Sequence, residues 1–586
     1  MSSKLAAKVC LIILSLLAMP TFVLAETDII TYQYTEDFHS YAQMVALLNQ
    51  GSHALQTQDL DDQEISSKQL FALLCKTDGQ QINFTELSPS YIVAGPTNCF
   101  TLFFSSEYLC LKAVESLQET RGIIYAEKDC EVHASSIPSE KAETSYAFHS
   151  WGASQMNFSH YMAYTDRWGT GNASVAVIDS GVFPHALISG KLLPSGYDYV
   201  DGDEDSLNDL FGHGTNVAGI IADCTNGKPV YIYPIRVLNS GGTGKMSNVV
   251  NAVKEAKGKG VTVINLSLES GVMSAALDDA ILEAVSSGVT VVAAAGNSSC
   301  DTSEVCPAHL NTKGVIVVGS AEGSNGSYNR ASYSNYGSSV DVYAFGTNIS
   351  CCSRSGGYSN ETGTSMAAPH ISALCALMHL IHPDLSPEQA EQRIQSAASG
   401  TGSVIVPDSL SMVPVTKGFS VKSIKMGIND RLALPTAAFP RSSCEPITYV
   451  SSDEQVAVYQ NGVLYAAGEG SAVITVSCKG FEDLSLPVIV EKCPDTSLTL
   501  PAALQSLNDE AFYGASSITR ISIPNTVRSI GNSVFEHCDA LKWICIPETV
   551  TSIGDNTFSD AIILCSQGTA IYQYALEHEL QHISLN

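Results

Sequence analysis

Three short segments of this chain each offer a reactive side chain at a place where backbone chemistry would expose it. Val177-Ile178-Asp179-Ser180-Gly181 ends an apolar, β-branched run on a carboxylate, and open α/β sheets carry their sites at the C-terminal ends of strands. Gly212-His213-Gly214-Thr215 opens a helical stretch with an imidazole. Gly363-Thr364-Ser365-Met366-Ala367-Ala368-Pro369 sets a hydroxyl at the start of another helix. Pro369 is tolerated there because first-turn amides lack an intrahelical acceptor. A serine is a weak nucleophile until a base takes its proton, so Asp179, His213 and Ser365 together imply nucleophilic catalysis.

The elements that must position these groups follow from the hydrophobic pattern. From Trp151 to about Val413, apolar strands alternate with Ala-rich helical stretches. The strands are expected over 174–178, 261–264, 289–292 and 315–318. Such alternation predicts a buried parallel sheet with helices on both faces.

Here a resemblance carries the reading further. The three segments, in the chain order Asp, His, Ser, are similar to the three signatures of the subtilisin family of serine proteases, over roughly Trp151 to Ala398. The resemblance implies an α/β parallel-sheet catalytic domain in which Ser365 attacks the scissile carbonyl of a protein or peptide substrate. His213 would take and return the proton, and Asp179 would orient the imidazole. Asn297, ending Val292-Ala-Ala-Ala-Gly-Asn297, would be one oxyanion donor and the Ser365 amide the other. The substrate would lie extended between Gly242-Thr243-Gly244 and Ser267-Leu268-Glu269. Glu269 and Ser270 depart from the family, which has paired glycines there. Glu269 either narrows the first specificity pocket, attracts a basic residue or, the reading preferred from sequence, turns to solvent.

The chemistry itself requires no cofactor. Asp198, Asp201, Asp203 and Asp205 have the alternating spacing that calcium uses, and also the composition of a solvated acidic loop. Both readings stand at this point. Asn216 replaces a second histidine common in the family and is not expected to touch the relay.

The flanking regions divide the 586 residues into several domains. Lys4 and Lys8, the apolar run Val9 to Met19 and the small residue Ala25 read as a signal peptide over 1–25. No later stretch is expected to be long and apolar enough to cross a membrane, so the mature protein is expected to be secreted. Residues 26–134, with a helix over Ser106 to Thr120 and a strand over Gly122 to Ala126, resemble an α+β subtilisin propeptide, an inhibitory chaperone. Residues 135–150 read as a linker holding the cleavage site. After Thr416 the helices are expected to stop. Residues 416–492 resemble an all-β bacterial Ig-like group 2 domain. From about 498 to 586, Pro501, Pro524 and Pro547 recur every 23 residues, as do Phe512, Phe535 and Phe558. This is a stacked-repeat signal and resembles two or three BspA-type leucine-rich repeats. Both modules imply attachment to a cell surface, matrix or partner.

Composition sets the outer limits. Thirty Lys and Arg against 59 Asp and Glu, a net charge of −29, argue against a nucleic-acid partner. Seventeen cysteines fit an oxidising compartment. Cys300 and Cys306 are near enough in sequence to staple a loop, whereas Cys375 reads as a buried free thiol. The competing reading from another class is a cell-surface adhesion protein whose protease-like domain no longer cuts.

Overall fold

The structure, a computed structural model, describes residues 31–33, 71–136 except 80, 81, 83, 88 and 95–97, and 150–585 except 195, 325 and 493–496. The signal-peptide segment and most of the expected linker lie outside these residues.

Among the described residues, the first unit is one sheet with one α-helix packed on it. Its strands are β1 (Thr31–Gln33), β2 (Phe71–Thr77), β3 (Tyr91–Ala94), β4 (Cys99–Phe104) and β5 (Ile123–Lys128), in the order β1-β3-β4-β2-β5. Helix α1 (Glu107–Gln118) is capped by the Ser106 hydroxyl and lays Cys110, Ala113 and Leu117 on the sheet. Strand β6 (Glu131–Ala134) leaves this unit and joins the next.

The large unit has the predicted parallel sheet. Strands β7 (Ala173–Asp179), β8 (Val230–Arg236), β10 (Val263–Leu266), β12 (Thr290–Ala294), β13 (Val315–Ser324) and β15 (Val342–Phe345) run parallel, and β14 (Ser327–Arg330) adds an antiparallel edge. The four expected strands are thus all present. Alternation along β7 feeds two cores: Val175 and Val177 face one, Ala176 and Ile178 the other. The first core is filled by α4 (His213–Cys224) and α7 (Thr364–Ile381), the second by α5 (Met246–Gly258) and α6 (Ala275–Ser286).

Helix α7 corrects one expectation. Over its 18 residues the mean hydropathy is 1.3, so by length and composition it could cross a membrane. Every one of its residues is buried inside the fold. It is apolar all round because it is the central helix of a core.

Downstream, two small sheets, of four and three strands, close on a shared core through Ile424, Leu464, Ile474 and Val488. This core also takes Ile562, Leu564 and Ile583 from the repeat region, so the two C-terminal regions pack as one body. Repeats stack in parallel register, Ser497↔Arg520↔Trp543 and Leu507↔Ile530↔Ile553. The recurring phenylalanines form a ladder, Phe512 on Phe535 at 5.5 Å and Phe535 on Phe558 at 5.9 Å between ring centres. Helices do not stop at Thr416: Ala570–Glu577 is a helix capped by Thr569, and it covers the last turns of the stack. Glu445, fully buried, ties this body to the large unit through Arg393 at 2.9 Å and His382 at 2.7 Å.

None of the fifteen described cysteines, Cys300 and Cys306 among them, forms a disulfide. Cys375 is free and fully buried, as expected, and desolvation pushes its thiol up to about 12. Among the described residues no staple joins the half-buried Cys300 to the buried Cys306.

Candidate active site

The three reactive residues come from three elements that meet at one end of the parallel sheet. Asp179 is the last residue of β7, His213 the first of α4, and Ser365 the second of α7. Gly212, at φ +100°, turns the chain so that the imidazole rather than a loop backbone faces Asp179. His213 Nδ1 lies 2.8 and 2.9 Å from the two Asp179 carboxylate oxygens, and both residues are buried. Burial works against the charged imidazole. The Asp179 charge and hydrogen bond, with Asp209 and Glu361, outweigh it and hold His213 above its ordinary pKa. His213 Nε2 is buried with no hydrogen-bond partner, leaving free the nitrogen that a relay would use.

Sequence reading missed the residue that organises this corner. Buried Asp209 accepts from the Gly212 amide at 2.6 Å, the Thr215 amide and hydroxyl at 3.0 and 2.5 Å, and the Ser180 hydroxyl at 2.8 Å. It caps the helix that carries His213 and ties it to the strand end that carries Asp179. No motif marks it; only its position before a helix start could have found it. A second buried chain supports the serine from below. Ser372 donates to Asn265 at 2.8 Å, Asn265 to Ser267 at 2.9 Å, and Ser267 to the Ser365 carbonyl at 3.1 Å.

The cleft in front of Ser365 holds the protein's own chain. Strand β6 lies antiparallel between β9 (Thr243–Lys245) and β11 (Leu268–Glu269), pairing Val132 with Gly244, His133 with Thr243 and Glu269, and Ala134 with Leu268. The Ala134 amide donates to Gly242 at 2.9 Å and the Ser135 amide to Ser267 at 3.1 Å. All six expected cleft residues therefore line this extended segment. The Ser135 carbonyl accepts from the Ser365 amide at 3.2 Å and from the Ser365 hydroxyl. That hydroxyl also lies 3.2 Å from the Ser267 carbonyl, so it points at the bound chain rather than at His213. Asn297 is at the same spot. Its Oδ1 accepts from the Thr364 amide at 2.9 Å, and its Nδ2 donates to the Ser135 hydroxyl at 3.3 Å. Ser135 and Ser136 thus belong to the cleft, not to a linker.

Two carboxylates hold the first unit in place. Asp129 accepts from the Ser247 amide at 2.9 Å and hydroxyl at 2.7 Å, at the start of α5. Glu127 accepts from Ser274 at 2.5 Å and from the amides of Ala275 and Ala276 at 2.8 and 3.2 Å, at the start of α6. Each anion sits on free amides at the positive end of a helix dipole. Lys76 adds an ion pair with Asp279 at 2.5 Å.

Glu269 does not turn to solvent. Its carboxylate lies beside the Asn297 amide and the Ser135 hydroxyl, and burial raises its pKa against the lowering influence of those two groups. It lies flat on Gly296, where a Cβ would come within 2.0 Å of its Oε2.

The four aspartates do not form a cation cage as placed. Asp198 and Asp201 both bond to Arg236 Nη1, each at 2.5 Å, and Asp198 also accepts from the Val200 and Asp201 amides. Asp203 and Asp205 are exposed, and Asp203 accepts from the Asp205 amide at 2.9 Å. The buried guanidinium already supplies the positive charge. Asn216 donates to the Cys352 carbonyl at 2.8 Å, a packing role apart from the relay.

Comparison with known proteins accords with this geometry. Residues 170–424 match the Subtilase family model, and residues 490–585 match the BspA type Leucine rich repeat region in six copies, more than the two or three expected. The chain is 38% identical over 303 residues to Alkaline serine exoprotease A of Vibrio alginolyticus, covering 50% of this chain and 54% of that protein. It therefore spans about half the length of that relative. It is 34% identical to M-protease of Shouchella clausii, covering 49% of this chain and 72% of that one. Subtilisin NAT of Bacillus subtilis subsp. natto is 35% identical, with 50% and 74% covered. A solved structure of a cold adapted subtilisin-like serine proteinase is 37% identical, covering 40% of this chain and 90% of that one with a TM-score of 0.36.

Proposed function

The chain belongs to the subtilase family, and from that premise we propose that it is a secreted serine endopeptidase made as a self-inhibited precursor. In this reading Ser365 adds to the carbonyl carbon of a bound peptide while His213 Nε2 takes the hydroxyl proton. Asp179 stabilises the imidazolium so formed, and the proton passes to the leaving amine. The Ser365 amide and the Asn297 side chain receive the negative charge on the carbonyl oxygen. Water then hydrolyses the acyl-enzyme by the same relay, which uses side chains alone.

One observation carries the reading. The Ser135 carbonyl accepts from the Ser365 amide while β6 is paired on both sides, so the Ser135–Ser136 bond is presented as a substrate's would be. Residues up to Ser135 would then act as chaperone and inhibitor, removed by self-cleavage. The all-β and repeat modules would hold the enzyme near a cell surface, matrix or partner protein. The test is a fluorophosphonate probe on the purified chain after removal of residues up to Ser135. Ser365 should be labelled, with labelling abolished in Ser365→Ala; an unlabelled wild type would overturn the reading.

A further inference from the structure

The residue presented to Ser365 has a small polar side chain, and the groups around it are matched to that side chain. The Ser135 hydroxyl meets the Glu269 carboxylate, the Asn297 amide at 3.3 Å and the Thr364 hydroxyl at 3.1 Å. Asn297 Nδ2 donates to the Ser135 oxygen, and the Ser135 proton has two acceptors beside it, the Glu269 carboxylate and the Thr364 hydroxyl, which itself donates to Asn297 Oδ1 at 3.2 Å.

The Glu269 carboxylate occupies the wall beside the hydroxyl. Glu269 lies across Gly296, and the carboxylate stands within 2.0 Å of where a Cβ on Gly296 would be. Gly296 is held at φ +99° and Asn335 Nδ2 lies 2.3 Å from the same point, so no residue with a side chain fits there while Glu269 stays in place. A large apolar side chain entering here would displace the carboxylate. It would also part a half-buried carboxylate from the Ser135 hydroxyl beside it while offering nothing in return. A small hydroxyl does the reverse.

We propose that Glu269 is a specificity-determining residue that makes the first pocket a site for small, hydroxyl-bearing residues, so that the enzyme cuts after serine as in Ser135–Ser136. This rests on the endopeptidase reading above and names its substrate class. Glu269 faces the side chain of the residue whose carbonyl is attacked, and takes no part in the proton relay. With His133, Ser298, Cys300 and Glu304, Glu269 also lines an open groove of about 400 Å³. That groove serves the residue two positions upstream, since alternate side chains of an extended strand share a face.

The experiment is a cleavage profile of the mature enzyme on peptides that differ only at the residue before the scissile bond, for wild type, Glu269→Gly and Glu269→Gln. In the wild type, kcat/KM for Ser should exceed that for Leu, Phe, Tyr, Lys and Arg by at least tenfold. In Glu269→Gly the large apolar residues should gain tenfold or more relative to Ser. Glu269→Gln keeps the volume and an acceptor, so it should still exclude large residues. A wild type that prefers a large apolar or a basic residue, or a profile unchanged in Glu269→Gly, overturns this proposal while leaving the endopeptidase reading intact. A wild type that labels with the probe of the preceding section yet shows no difference among the peptides also overturns it. Absence of both labelling and cleavage overturns the endopeptidase reading, and this one with it.

Discussion

The Ser135 carbonyl oxygen sits 3.2 Å from the Ser365 amide nitrogen, so the first ligand in the cleft is the chain's own strand. The segment before it is paired on both edges, and the first unit is anchored by Glu127 and Asp129 on two helix starts. In the proposed reading inhibition and presentation are the same contact, and this has consequences that can be measured.

The precursor bearing Ser365→Ala should remain uncut, and the mature wild-type protein should begin at Ser136. N-terminal sequencing checks both points. Cleavage persisting in a pure Ser365→Ala preparation, or a mature chain beginning elsewhere, would count against self-processing at this bond.

His213 must be neutral to accept a proton, and its pKa is held above the ordinary value of 6.5. Activity should therefore fall as pH drops through that raised value, with the acid limb of kcat/KM above the usual histidine range. Asp179→Asn removes the main raising influence. Its acid limb should move to lower pH, and kcat should fall by about 10⁴-fold, the loss typical of this exchange in serine proteases. An acid limb that stays in place would show that Asp179 does not set the imidazole.

The excised first unit should inhibit the mature enzyme when added in trans. Asp129→Ala and Glu127→Ala each remove an anion from a helix start, a contact worth roughly 1 kcal/mol, so each should weaken inhibition by about fivefold. Inhibition constants measured with a peptide substrate decide this; unchanged values would locate the affinity in β6 alone.

Asp203→Asn and Asp205→Asn should leave the melting temperature unchanged whether or not calcium is added, because Arg236 already pairs with Asp198 and Asp201. Arg236→Met should behave differently. It leaves Asp198 buried without its partner, and such uncompensated charges cost about 3–5 kcal/mol. Thermal unfolding with and without chelator separates the two cases; a calcium-dependent shift lost in Asp203→Asn would restore the cation reading.

Much of this molecule was legible because its signals are local. The four apolar runs became strands of one parallel sheet since a strand buried on both faces has no polar alternation to obscure it. Asp179, His213 and Ser365 each carry their own strand end or helix start, so the motif predicts where the side chain emerges. Repeat periodicity likewise announced the phenylalanine ladder, because stacking identical units puts identical positions in contact. Hydropathy alone does not decide at Thr364–Ile381, where a core helix and a membrane span have the same composition.

What the sequence alone determined is the reactive triad, the parallel-sheet scaffold and the repeat stack, all set by short-range pattern. The tertiary structure decided the rest. It placed Ser135 against Ser365, 230 positions away, and set Arg236 among the aspartates at 198 and 201. It also turned Glu269 into the cleft rather than outward, and brought Asp209 under the helix of His213. Those outcomes depend on which charges and hydroxyls meet across the fold. A partner hundreds of residues away leaves no periodicity behind, and a carboxylate looks the same in sequence whether water or a hydroxyl satisfies it.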